Sequence, residues 1–100
     1  MSSSARKLEE HEIRQALLSL PGWRLEQNKL CTSYTFRDFS TAWAFMTMCA
    51  IAAEKIDHHP SWKNVYNRVE IALWTHDCSA VTDKDLLLAK QFTDFAQRLL

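Results

Sequence analysis

Apolar residues recur at helical spacing in three stretches of this chain and at strand spacing between them. From Arg6 to Leu20, the residues Ile13, Ala16, Leu17 and Leu20 fall at three- and four-residue steps. That spacing predicts an amphipathic helix, stopped by Pro21-Gly22. Trp23–Glu26 and Leu30–Phe36 then read as a hairpin around the polar Gln27-Asn28-Lys29. Tyr34 and Phe36 alternate with Ser33, Thr35 and Arg37, the period of a half-buried strand. Asp38 or Ser40 can cap a second helix, expected to run to about Asp57. Its stripe of Ala42, Phe45, Met46, Cys49, Ala53 and Ile56 is joined by Trp43, Met48, Ala50 and Ala52, so little of its surface is polar. Such a helix is expected to be buried on two sides. His58-His59-Pro60 should end it, because the residue before proline is pushed out of the α region.

A second hairpin is expected to turn at Asn67-Arg68, after Val65 and Tyr66. On the returning strand Val69, Ile71 and Leu73 point one way; Glu70, Ala72, Trp74 and His76 point the other. Thr82-Asp83-Lys84-Asp85 carries the start signal of a final helix that reaches the C-terminus with Leu86, Leu87, Leu88, Phe92, Phe95, Ala96, Leu99 and Leu100. The predicted fold class is α+β: two layers, a four-stranded antiparallel sheet with three helices on one face, in the order α-β-β-α-β-β-α. The chain reads as a single domain over residues 1–100, with residues 1–5 as a disordered tail. The apolar surplus on the second and third helices points to a symmetric homo-oligomer, with Phe45 and Met46 as candidate contacts.

Composition narrows the function. Twelve basic and twelve acidic residues cancel, without long runs of either sign. A nucleic-acid binder usually carries a basic patch, and a membrane-surface protein a polybasic segment, so neither partner is expected. Gly22 is the one glycine, which excludes a glycine-rich phosphate loop. The stretch Ala42–Ala53 is far short of the ~20 residues of a membrane span. The N-terminus leads into charged residues without a secretory core, and Cys31, Cys49 and Cys78 lack CxxC spacing. They read as reduced thiols in an intracellular, cytoplasmic protein.

Candidate chemistry gathers on histidine. His11 lies in the charged first helix and reads as a surface residue. His58 and His59 close a helix, and His76 lies at or near a strand end. Glu54 stands one helical turn before His58, Asp57 adjoins it, and Asp77 follows His76. Imidazoles titrate near neutrality, and several of them beside carboxylates suit general acid–base work. Trp23, Trp62 and Trp74 could wall a pocket for a planar ring. A metal site built from His58, His59, His76 and Cys78 lacks HxxxH or CxxC spacing. A Cys78 nucleophile beside His76 is a further alternative.

The text Ala53-Glu54-Lys55-Ile56-Asp57-His58-His59-Pro60-Ser61-Trp62, then Asn64-Val65-Tyr66-Asn67, then Thr75-His76-Asp77-Cys78 and Asp85, resembles the signature of the pterin-4a-carbinolamine dehydratases. Phe36-Arg37-Asp38-Phe39 resembles them too, and the likeness covers roughly residues 20–96. It implies dehydration of 4a-hydroxytetrahydropterin to quinonoid dihydropterin in tetrahydrobiopterin recycling, with the pterin as substrate and no cofactor. By the same resemblance His58 and His76 would transfer protons and His59 would bind and polarise the pterin. Glu54 and Asp57 would orient the imidazoles, Pro60, Trp62, Thr75, Asp77 and Cys78 would line the pocket, and Asp85 would be structural. The resemblance also implies a dimer of dimers. In some animal members it implies a second role, as dimerisation cofactor of a homeodomain transcription factor, which would add a nuclear location.

Overall fold

In the computed structural model, described here for residues 5–100, the elements follow the expected order. They are α1 (Glu10–Leu17), β1 (Arg24–Glu26), β2 (Lys29–Thr35), α2 (Phe39–Lys55), β3 (Ser61–Val65), β4 (Arg68–Leu73) and α3 (Asp83–Leu99). The strands form one antiparallel sheet in the order β1-β2-β4-β3. No helix among the described residues is long and apolar enough to cross a membrane. The tail reading for residues 1–5 falls largely outside the described residues; Ala5 is described and lies at a cleft.

The sheet works by alternation. Leu30 and Thr32 on β2, with Val69, Ile71 and Leu73 on β4, turn to one face and are buried. The register pairs Leu30 with Leu73 and Thr32 with Ile71, so the two apolar rows coincide. Against that face lie Ala42, Phe45, Cys49 and Ala53 of α2 and Leu88, Ala89, Phe92 and Ala96 of α3. Phe45 sits at the centre, its ring 5.0 Å from Phe36, 5.3 Å from Tyr34 and 6.4 Å from Phe92. The Tyr34 and Phe92 pairs are edge-to-face, a geometry that adds about 0.5–1.5 kcal/mol each beyond burial. Phe45 and Met46 are thus spent on the chain's own core and are not free to meet a partner. The exposed apolar row of α2 is instead Phe39, Trp43 and Ile51.

Four local departures from the sequence reading have physical causes. Residues 6–8, expected to be helical, run extended and bridge to residues 81–83, with Leu8 N–H donating to Val81 (3.1 Å) and Asp83 N–H to Arg6 (3.1 Å). The helix begins after Glu9, which forms a reciprocal capping box with Glu12. The first hairpin turns on two residues, Gln27 and Asn28 (φ 50° and 62°), leaving Lys29 in β2. The second turns on Tyr66-Asn67, not Asn67-Arg68, and the Asn64 side chain braces it by donating to the carbonyls of Tyr66 and Arg68. Finally, α2 is stopped before proline acts. Asp57 takes the left-handed conformation (φ 52°), and the amides of Asp57 and His58 donate back to Glu54 and Ala53. This is the Schellman termination, with aspartate where glycine is usual.

Asp38, one of the two predicted caps, starts α2: its carboxylate accepts from the Thr41 amide at 2.8 Å. Thr41, through its side-chain hydroxyl first and this backbone bond second, holds the Asp38 carboxyl below its ordinary value of 3.8. A depressed carboxyl contributes stability that is present above its unfolded pKa and lost as pH falls through the folded one. The difference in Tm between wild type and Asp38→Ala should therefore be full at pH 7 and close as pH drops below about 4, read by circular dichroism across a pH series.

Candidate active site

Three chain segments meet at one end of the sheet. The Schellman turn that ends α2 delivers Asp57, His58 and His59; the continuation of β4 delivers Trp74 to Cys78; the first turn of α3 delivers Lys84 and Asp85. Between them opens a cleft of about 710 Å³ lined by Asp57, His58, His59, Trp74, Thr75, His76, Asp77 and Cys78, with Ala5 and Lys84 at its edge. Ligand pockets are typically ~300–1,000 Å³.

The first turn of α3 explains the deepest contact. Thr82 and Asp85 form the expected capping box, Asp85 Oδ2 accepting the Thr82 amide at 2.8 Å. Asp85 is also fully buried. Its Oδ2 takes a second bond from the Thr75 hydroxyl (3.0 Å), which contacts the Thr82 hydroxyl at 2.7 Å. The other oxygen, Oδ1, lies 2.5 Å from His58 Nε2. A carboxylate oxygen accepts, so the shared proton belongs to Nε2, and in the neutral imidazole Nδ1 then carries the lone pair. His58, 11% exposed, is therefore oriented by a residue 27 positions away.

The carboxylates nearest in sequence do something else. Glu54 does not reach His58: the left-handed turn at Asp57 breaks the helical spacing, and Glu54 Oε1 instead meets His59 Nε2 at 2.7 Å. That pair is exposed on both sides, so it steers the ring more than it stabilises the fold. Neither Asp57 nor Asp77 contacts a histidine ring among the described residues, although both line the cleft. His76 is held differently again, stacked on Trp74 with centroids 4.5 Å apart and planes 9° apart.

Pro60 and Trp62 do not line this cleft. Trp62 is on β3 opposite Ile71 and packs against the core. Trp23 is buried, its indole N–H donating to the Thr93 hydroxyl at 2.8 Å, so of the three candidate walls only Trp74 reaches the cleft. Cys49 is in the core and burial pushes its thiol up; burial also raises Cys31, away from the cleft. Cys78 is in the cleft, but its sulfur faces the carbonyls of Thr75 and Ala80, not His76. Among the described residues no group of three or more His, Cys, Asp or Glu is arranged to hold a metal ion.

Three imidazoles converging on one open cleft, one with its tautomer set by a buried carboxylate, are equipped for proton transfer to and from a small molecule. The chain belongs to the pterin 4 alpha carbinolamine dehydratase family, whose model matches residues 6–95. A relative from Afipia carboxidovorans bearing the pterin-4-alpha-carbinolamine dehydratase name is 47% identical over 93 residues, spanning 91% of this chain and 93% of its own. Another from Rhizobium rhizogenes, with the same name, is 46% identical over 94 residues (92% and 93%). A Brucella melitensis crystal structure described as a transcriptional coactivator/pterin dehydratase matches with TM-score 0.88 at 42% identity, covering 91% of this chain and 99% of that one. A pterin dehydratase-like RuBisCO assembly factor of the alpha-carboxysome matches at TM-score 0.62 and 17% identity, covering 74% and 86%, a likeness of fold alone.

Because Asp85 serves the α3 cap, Thr75 and His58 at once, Asp85→Ala orphans donors on three segments. We expect it to cost about 3 kcal/mol, with Tm falling by more than about 10 °C for a domain of this size, measured by thermal and urea unfolding.

Proposed function

We propose that this chain is a 4a-hydroxytetrahydropterin dehydratase that works by histidine acid–base catalysis and serves tetrahydrobiopterin recycling in the cytoplasm. Membership of the dehydratase family supports the reaction class. The observation that carries the mechanism is the convergence of His58, His59 and His76 on one cleft, with His58 fixed by buried Asp85.

The reaction expels the 4a-hydroxyl as water and forms a carbon–nitrogen double bond in the ring. One proton must reach the leaving oxygen as the C–O bond breaks. Another must leave the ring nitrogen whose electron pair forms the new bond. Protons balance, so the protein needs only to deliver one and collect one. His58, with Nδ1 unprotonated when Nε2–H bonds Asp85, is suited to one of these transfers, and His76 supplies the complementary group. His59, more exposed and steered by Glu54, binds and polarises the ring. Thr75, Asp77, Cys78 and Asp57 are placed to border the substrate. Positioned acid–base groups typically contribute about 10²–10⁴-fold each.

The decay of 4a-hydroxytetrahydropterin in the presence of pure protein tests the reading. His58→Ala and His76→Ala should each lower kcat by about 10²–10⁴-fold, and His59→Ala should act mainly on KM. Uncatalysed decay with wild type, or full turnover in the His58→Ala, His76→Ala double variant, contradicts it.

One observation favours a second, compatible role. Phe39, Trp43 and Ile51 leave an apolar face of α2 exposed, Trp43 and Ile51 at 57% each. That face suits helix-to-helix association, in a homo-oligomer such as a dimer of dimers or with the dimerisation segment of a transcription factor as a nuclear coactivator. Sedimentation should show self-association that Trp43→Asp and Ile51→Asp abolish while the isolated fold persists. Unchanged association in both variants removes α2 as the contact.

A further inference from the structure

His58 and His59 each have a carboxylate at a ring nitrogen; His76 has none among the described residues. Its backbone neighbourhood is fixed, since Thr75 and Ala80 bridge the two ends of the loop that carries it, with N–H to carbonyl distances of 2.9 and 3.4 Å. Among the described residues its ring is oriented by Trp74, in a nearly parallel stack at 4.5 Å between centroids. The alternation of the strand puts the two side chains on one side, while Thr75 between them turns inward to Asp85. Trp74 is in turn held across the sheet. Extending the β2–β4 register by one residue beyond Leu30 and Leu73 sets Lys29 opposite Trp74, and Lys29 Nζ lies 4.1 Å from the indole centroid. Cation–π contact of this kind pins an otherwise half-exposed indole.

We propose that Trp74 is the positioning residue for His76, and that Lys29 steadies Trp74. The proposal rests on the dehydratase reading of the same cleft. A carboxylate partner fixes an imidazole by occupying a ring nitrogen; a stacked indole fixes it by its face and leaves both nitrogens to the substrate. The stack also holds the ring in either protonation state, because an indole face attracts both imidazole and imidazolium. A group that must change protonation during turnover keeps its place that way. Trp74 therefore acts on the reaction through His76.

Two readouts separate this role from a merely structural one. By NMR, the carbon-bound ring protons of His76 should lie upfield in wild type from the indole ring current. They should move to ordinary positions in Trp74→Leu and remain shifted in Trp74→Phe. In turnover of 4a-hydroxytetrahydropterin, Trp74→Leu should lose about 10- to 100-fold in kcat with KM changed little, Trp74→Phe should recover most of it, and Lys29→Met should show a smaller loss in kcat. Unmoved His76 resonances in Trp74→Leu, or undiminished kcat in that variant, overturns the proposal while leaving the dehydratase reading intact. A wild type that shows the ring-current shift yet does not accelerate the dehydration overturns both.

Discussion

The buried carboxylate of Asp85 is the constraint on which this site depends. Taking an aspartate fully out of water is costly unless every lone pair finds a donor. Here the donors come from three places: the Thr82 amide at the start of α3, the Thr75 hydroxyl just beyond β4, and the His58 ring just beyond α2. His58 lies 27 positions from Asp85, while Thr75 and Thr82 flank the short loop that joins β4 to α3, and together these segments carry the residues of the cleft. The demand of one buried charge for partners thus holds the ends of three elements in register. What stabilises the fold at this end is the same set of bonds that sets the His58 tautomer.

Around that anchor the three imidazoles are oriented by different means. A fully buried carboxylate holds His58, an exposed one steers His59, and an indole face holds His76. These differ in kind. The buried pair fixes a tautomer, the exposed pair is screened and mobile by comparison, and the stack constrains a plane without occupying a nitrogen. A dehydration that moves two protons over a planar ring needs groups in distinct states at distinct places, and three unlike environments provide that more readily than three similar ones.

Much of this was legible in the sequence, because much of it is local. The alternation Val69, Ile71, Leu73 marks the buried side of β4, and the spacing of Phe45, Cys49 and Ala53 marks the inner stripe of α2. Thr82 and Asp85 announce a helix start three residues apart, and Asp38 another. The same alternation put Trp74 and His76 on one side, which is the seed of their stack. What stayed hidden is long-range or conformational. Capping explains Asp85 Oδ2, but nothing near residue 85 says that Oδ1 faces His58. Helical spacing ties Glu54 to His58 only if the helix continues, and the left-handed Asp57 redirects Glu54 to His59. The helical spacing that begins at Ile13, extended back to Arg6, predicts helix there, yet the amide and carbonyl groups of Arg6 and Leu8 pair with the 81–83 segment instead. Trp62 is expected in the pocket as a flat aromatic wall and by the family resemblance, but strand pairing opposite Ile71 turns it to the core.

The claim at the centre is that the cleft is a pterin site read by three histidines. The most direct measurement is an NMR titration of the imidazole protons with a dihydropterin, which has no 4a-hydroxyl to lose and so cannot be dehydrated. Saturable shifts of His58, His59 and His76, with His11 on exposed α1 unmoved, are the predicted result. Imidazole resonances that ignore the ligand, or that respond equally at His11, would contradict it.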